Sequence, residues 1–79
     1  MPHIVIKTLS GKPQQQLEEA AEQAIAAVGK VFGNPNKKFF SASVEEYSRE
    51  EWETVYNETI KDKDNVIIKP GYSNPKTFE

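Results

Sequence analysis

The chain has no cysteine and only one each of histidine, tryptophan and methionine, and each scarcity closes a route. Without Cys there is no disulfide, and a single imidazole leaves a structural metal to be held almost wholly by carboxylates, a donor set that structural zinc sites rarely use. No apolar run exceeds a few residues, so nothing reads as a bilayer span. The opening Met1-Pro2-His3 likewise lacks the basic and then apolar segments of a secretory leader. An excess of positive charge is also missing. A net charge of -2, with ten cationic residues interleaved among twelve acids, provides no basic field for nucleic acid. These absences lead us to expect a soluble, cytoplasmic chain with neither a nucleic acid nor a membrane as partner.

What is present amounts to one domain over 1–79. A chain of 79 residues buries only about 60–65% of the surface that its unfolded form exposes. With 37% apolar residues the core is thin. Disulfides and metals being excluded, oligomerisation is the remaining supplement, and a homo-oligomer, a dimer in the first instance, is expected.

The segment His3–Thr8 is β-branched and begins directly after Pro2, so it reads as a strand with Ile4 and Ile6 on one face and Val5 on the other. Ser10-Gly11-Lys12-Pro13 is turn chemistry, with Pro13 placed as first residue of a helix. From Gln14, apolar Leu17, Ala20, Ala21, Ala24, Ile25, Val28, Val31 and Phe32 recur every three or four residues, predicting an amphipathic helix of about five turns. Gly33-Asn34-Pro35-Asn36 ends it. Phe39–Glu46 alternates as a second strand, Phe40, Ala42 and Val44 facing one way and Phe39, Ser41, Ser43 and Glu45 the other. The result is a β-α-β unit with parallel strands and one face covered by the helix. Ser48 and Glu51 form a capping box that opens a second helix, with Trp52, Val55, Tyr56 and Ile60 on its apolar stripe. Val66–Lys69 is a short β-prone stretch, expected to pair with another subunit's sheet edge, and the last few residues are expected to be partly disordered. The fold class is therefore α/β (α+β), its sheet completed by oligomerisation.

Pro2 carries the chemistry. Methionine aminopeptidases remove Met1 before small residues, and only that cut turns an inert tertiary amide into a basic secondary amine. An α-amino group titrates near 7.7–8.0 in model peptides, and burial or nearby cations lower that value. Such an amine is a general base matched to cellular pH.

The opening Pro2-His3-Ile4-Val5-Ile6-Lys7, the segment Ser43 to Trp52 and the ending Lys69-Pro70-Gly71-Tyr72-Ser73 together resemble the tautomerase superfamily. Within it they are most similar to the short bacterial phenylpyruvate-type tautomerases related to 4-oxalocrotonate tautomerase. The resemblance runs from Pro2 to about Ser73. It implies a cofactor-independent keto-enol tautomerase in which Pro2 moves a proton next to the carbonyl of a 2-keto acid. By the same resemblance Lys12 is a cationic substrate-binding residue, Trp52 an aromatic pocket wall, and Ser41 stands where 4-oxalocrotonate tautomerase has an arginine. That departure favours a monoacid with an aromatic remainder, such as phenylpyruvate, over a dicarboxylate. Arg49 is a further candidate for the substrate carboxylate, and His3 reads as structural, its side chain turned from the Pro2 side. Two alternatives stand beside this reading: dehalogenation or decarboxylation on the same scaffold, and a small oligomeric binding module in which Pro2 is incidental.

Overall fold

A computed structural model describes residues 1–79, which form two compact units, 1–46 and 47–79. In the first, strand β1 (His3–Leu9), helix α1 (Gln14–Phe32) and strand β2 (Ser41–Tyr47, its last residue reaching the second unit) form a β-α-β arrangement. The two strands are neighbours in one parallel sheet, an α+β fold as the patterning predicts. Helix α1 lies on the face that carries Ala42 and Val44, where Leu17 and Ala21 line a shared cleft of about 310 Å³ with them. Leu17 is the one buried large apolar side chain of this unit.

The limits of α1 follow from backbone chemistry. Pro13 is extended (ψ 147°), so it caps the helix instead of opening it, one residue earlier than its sequence signature suggests; its carbonyl accepts from Gln16 and Leu17 N–H. At the other end Gly33 adopts φ 71°, a left-handed conformation that costs other L-residues 1–2 kcal/mol, and the Gly33 and Asn34 N–H groups close on the carbonyls of Lys30 and Gly29. The following segment departs from the expected strand. Lys37–Phe39 winds into one 3₁₀ turn because the Asn36 side chain accepts from Lys38 N–H, so β2 begins at Ser41, two residues late, and runs on to Tyr47.

In the second unit the capping box is complete: Ser48 Oγ accepts from Glu51 N–H (3.1 Å) and Glu51 Oε1 accepts from Ser48 N–H (2.7 Å). Helix α2 (Arg49–Val55) follows, then a π-helical turn (Tyr56–Ile60) closed by Lys61 N–H on the Tyr56 carbonyl. The Thr59 hydroxyl donates to the Val55 carbonyl at 2.6 Å, competing for an acceptor of the regular helix and widening the turn.

Val66–Lys69, expected to pair with another subunit, takes no part in the sheet of its own chain, and Ile67 and Ile68 are 93% and 88% exposed. One expectation is corrected here. The tail, expected to be partly disordered, is a hydrogen-bonded loop. Ser73 and Asn74 N–H donate to the Glu79 carbonyl, and Asn74 Oδ1 accepts from Lys76 and Thr77 N–H. Aromatic packing holds it: the Tyr72 ring lies 5.4 Å from Tyr56 and 5.1 Å from Phe78. No helix is long and apolar enough to cross a membrane.

Candidate functional site

Pro2 stands at the entrance of β1, half-buried, with its carbonyl accepting from the Ser41 N–H at 3.2 Å. That bond joins the last residue before β1 to the first residue of β2 and ties the main chain of Pro2 to the sheet. Met1 is 97% exposed, so the residue whose removal would free that nitrogen lies in solvent. Pro2 and Ser41, both selected from the sequence, are therefore brought together.

Ser41 brings a second residue with it. On the sheet face turned away from α1, His3 Nδ1 lies 2.6 Å from Ser41 Oγ and Nε2 lies 3.3 Å from Ser43 Oγ. One imidazole thus bridges two hydroxyls. A neutral ring donates to one of these oxygens and accepts from the other; a doubly protonated ring donates to both. From the sequence His3 reads as structural, its side chain turned from the Pro2 side, and Ser41 and Ser43 share one face of the second strand. Only the register of β1 against β2 sets the three side by side.

Lys12 is not joined to this group within one chain. Its ammonium donates to Thr8 Oγ1 (2.8 Å) and the Leu9 carbonyl (3.3 Å) at the far end of β1. At about 3.3 Å per strand residue, that end lies roughly 20 Å from Pro2.

Arg49 and Trp52, three residues apart on α2, belong to the second unit. The Arg49 guanidinium donates to the Lys76 carbonyl (3.1 Å) and lies 4.7 Å from the centre of the Phe78 ring. Trp52 Nε1 donates to the Tyr72 hydroxyl at 2.9 Å, and its ring meets Tyr47 edge-on at 6.3 Å. Both side chains thus anchor the aromatic cluster of residues 47–79. A second cleft of about 360 Å³ opens in this unit, with Tyr56, Ile60, Lys61, Lys69 and Tyr72 in its wall.

Among the titratable groups the carboxyl of Glu51 is held below its ordinary value of 4.5, chiefly by the Ser48 N–H and then by the Ser48 hydroxyl. This is helix-cap chemistry and lies apart from the Pro2 group. No three His, Asp or Glu side chains converge as a metal site. The chain matches no model of a known protein family and none of the curated proteins.

Proposed function

We propose that the protein is a cofactor-independent keto-enol tautomerase of a phenylpyruvate-like 2-keto acid, with Pro2 as general base after loss of Met1. The observation that carries the reading is the position of Pro2: a main-chain nitrogen at the start of β1, in a residue whose carbonyl is tied to β2 by the Ser41 N–H and whose strand neighbours are the hydrogen-bonded His3 and Ser41. The resemblance of the opening and of the Lys69–Ser73 ending to the phenylpyruvate-type tautomerases supports the same reading.

The chemistry balances within substrate and base. The Pro2 lone pair takes a proton from carbon 3, the C–H pair becomes the C2=C3 bond, and the carbonyl oxygen receives the proton that Pro2 returns. A secondary amine with a pKa near the operating pH suits both halves of that exchange. The alkyl ring removes rotational freedom from the nitrogen, so its lone pair is already aimed.

The protein acts in this reading as a cytoplasmic homodimer. Lys12, being roughly 20 Å from Pro2 of its own chain, serves only if another copy presents it. Trp52 contributes an aromatic wall on the same condition. Without either, a desolvated pocket around Pro2 is incomplete.

The test is an ultraviolet assay of enol-to-keto conversion of phenylpyruvate, using protein whose intact mass shows Met1 removed. The same protein with Met1 retained, in which the Pro2 nitrogen is a non-basic amide, is expected to lose about 10²–10⁴-fold in rate, the span that a positioned general base contributes. Equal rates for the two proteins would overturn the assignment of Pro2.

A further inference from the structure

We infer that His3, Ser41 and Ser43 form the carboxylate-binding fork of the Pro2 site. The inference rests on the reading of Pro2 as the base and names the residues that hold the substrate's acid group. A 2-keto acid needs its carboxylate gripped close to the carbon that loses the proton. The cationic side chains singled out from the sequence are committed elsewhere in the chain: Lys12 to Thr8 and Leu9, Arg49 to Lys76 and Phe78.

The fork is close enough. The Ser41 N–H meets the Pro2 carbonyl at 3.2 Å, so ordinary bond lengths keep the Pro2 nitrogen within about 7 Å of the Ser41 nitrogen. A 2-keto acid with carbon 3 against that nitrogen reaches about 9 Å to a hydrogen-bonded partner of its carboxylate. Because the nitrogen is a main-chain atom near the plane of the sheet, a substrate on the open face can meet it and the His3 side together.

The donors are also right in kind. When both ring nitrogens of His3 are protonated, both serine oxygens accept from the ring, and both hydroxyl hydrogens are left to point at one anion. With a neutral ring one hydroxyl hydrogen is spent on the imidazole, and the other is left to donate. Val5, two residues along the same face and 45% exposed, offers an apolar neighbour for an aromatic remainder. The charged residues further along that face, Lys7 and Glu45, are opposite in sign and leave it without a net field against an anion.

Because the chain contains a single histidine, its ring C–H resonances are identified without selective labelling. Phenylacetate, a carboxylate with the aryl group but no keto group, is titrated into processed wild-type protein, with 2-phenylethanol as the neutral control. Saturable movement of the His3 resonances with phenylacetate alone is expected; no movement would overturn the fork. Ser41→Ala/Ser43→Ala and His3→Gln are expected to raise KM for phenylpyruvate tenfold or more while kcat stays within about threefold. An unchanged KM in the double serine variant, with wild-type far-ultraviolet circular dichroism, would likewise overturn it. The two readings separate cleanly. Movement of His3 in a protein without tautomerase activity supports the fork and sinks Pro2 catalysis, whereas activity dependent on Pro2 with His3 unmoved sinks the fork alone.

Discussion

At the scale of single residues, Gly29 illustrates how a local preference is overruled by packing. Glycine inside a helix costs about 0.5–1 kcal/mol relative to alanine, so propensity alone favours Gly29→Ala. Gly29 is buried, however, and an added Cβ would stand 2.9 Å from the Asn34 carbonyl oxygen and 3.5 Å from the Phe40 ring. The first neighbour is backbone, pinned by the bond from Asn34 N–H to the Gly29 carbonyl at 2.9 Å, so it cannot swing aside as a flexible side chain would. Overpacking of this kind costs about 1–3 kcal/mol, which exceeds the propensity gain. Gly29→Ala is expected to lower the melting temperature by several degrees, and a melt at or above the wild-type temperature would contradict the clash. Trp52 is the comparable case in the second unit. Trp52→Phe keeps an aromatic ring but leaves the Tyr72 hydroxyl without its indole donor, and a loss of about 1 kcal/mol is expected in chemical denaturation.

At the scale of elements, α2 is the segment whose stability is most openly electrostatic. It has seven residues, too few to persist on propensity, and its first turn is held by the reciprocal Ser48–Glu51 bonds. Ser48→Ala removes the hydroxyl acceptor and is expected to cost about 1 kcal/mol. The pH dependence has a definite sign. The Glu51 carboxyl is lowered in the folded chain from 4.5, so its contribution is complete above that value and is lost as pH falls through the lower folded value. The stability difference between wild type and Glu51→Ala, followed by thermal melts, is therefore expected to be constant from pH 7 down to about 5 and to shrink below it. A difference that grows on acidification would reverse the assignment. The exposed pair Lys37–Glu22, at 3.4 Å with both side chains more than two-thirds accessible, contributes little by comparison.

At the scale of the whole molecule, the apolar surface left in water bears on the proposed dimer. Val31, Phe32, Ile67 and Ile68 are all at least 66% exposed, Leu17, Val55 and Tyr56 are the only buried large side chains, and none is fully withdrawn from solvent. Covering each of these four is worth about 1.5–3 kcal/mol, which favours association. Sedimentation at micromolar concentration is expected to give twice the 8.9 kDa chain mass, with a melting temperature that rises with concentration. Ile67→Lys/Ile68→Lys is expected to shift the mass to that of one chain. A mass of three or six chains would replace the dimer, and a concentration-independent monomer would remove association altogether.

How much of this was legible beforehand follows from the range of the forces involved. Strand alternation, the three-and-four spacing of α1, the Gly33 stop and the Ser48–Glu51 box are local, set by residues within a turn or two of each other, and all were readable along the chain. So was the reason to look at Pro2, whose proposed role depends on its being the second residue. Expectation and structure part in two places: the Asn36 side chain, bonding two residues on to Lys38 N–H, turns Phe39 out of β2, and Tyr72, packed on Tyr56 and Phe78, gathers a tail that composition alone suggests is loose. The site divides in the same way. The amino acids themselves determined that a proline stands second, that the chain has a lone imidazole next to it, and that Ser41 and Ser43 share one face of a strand. Only the parallel register of β1 on β2 put His3 between Ser41 and Ser43, because register is a pairing between segments nearly forty residues apart.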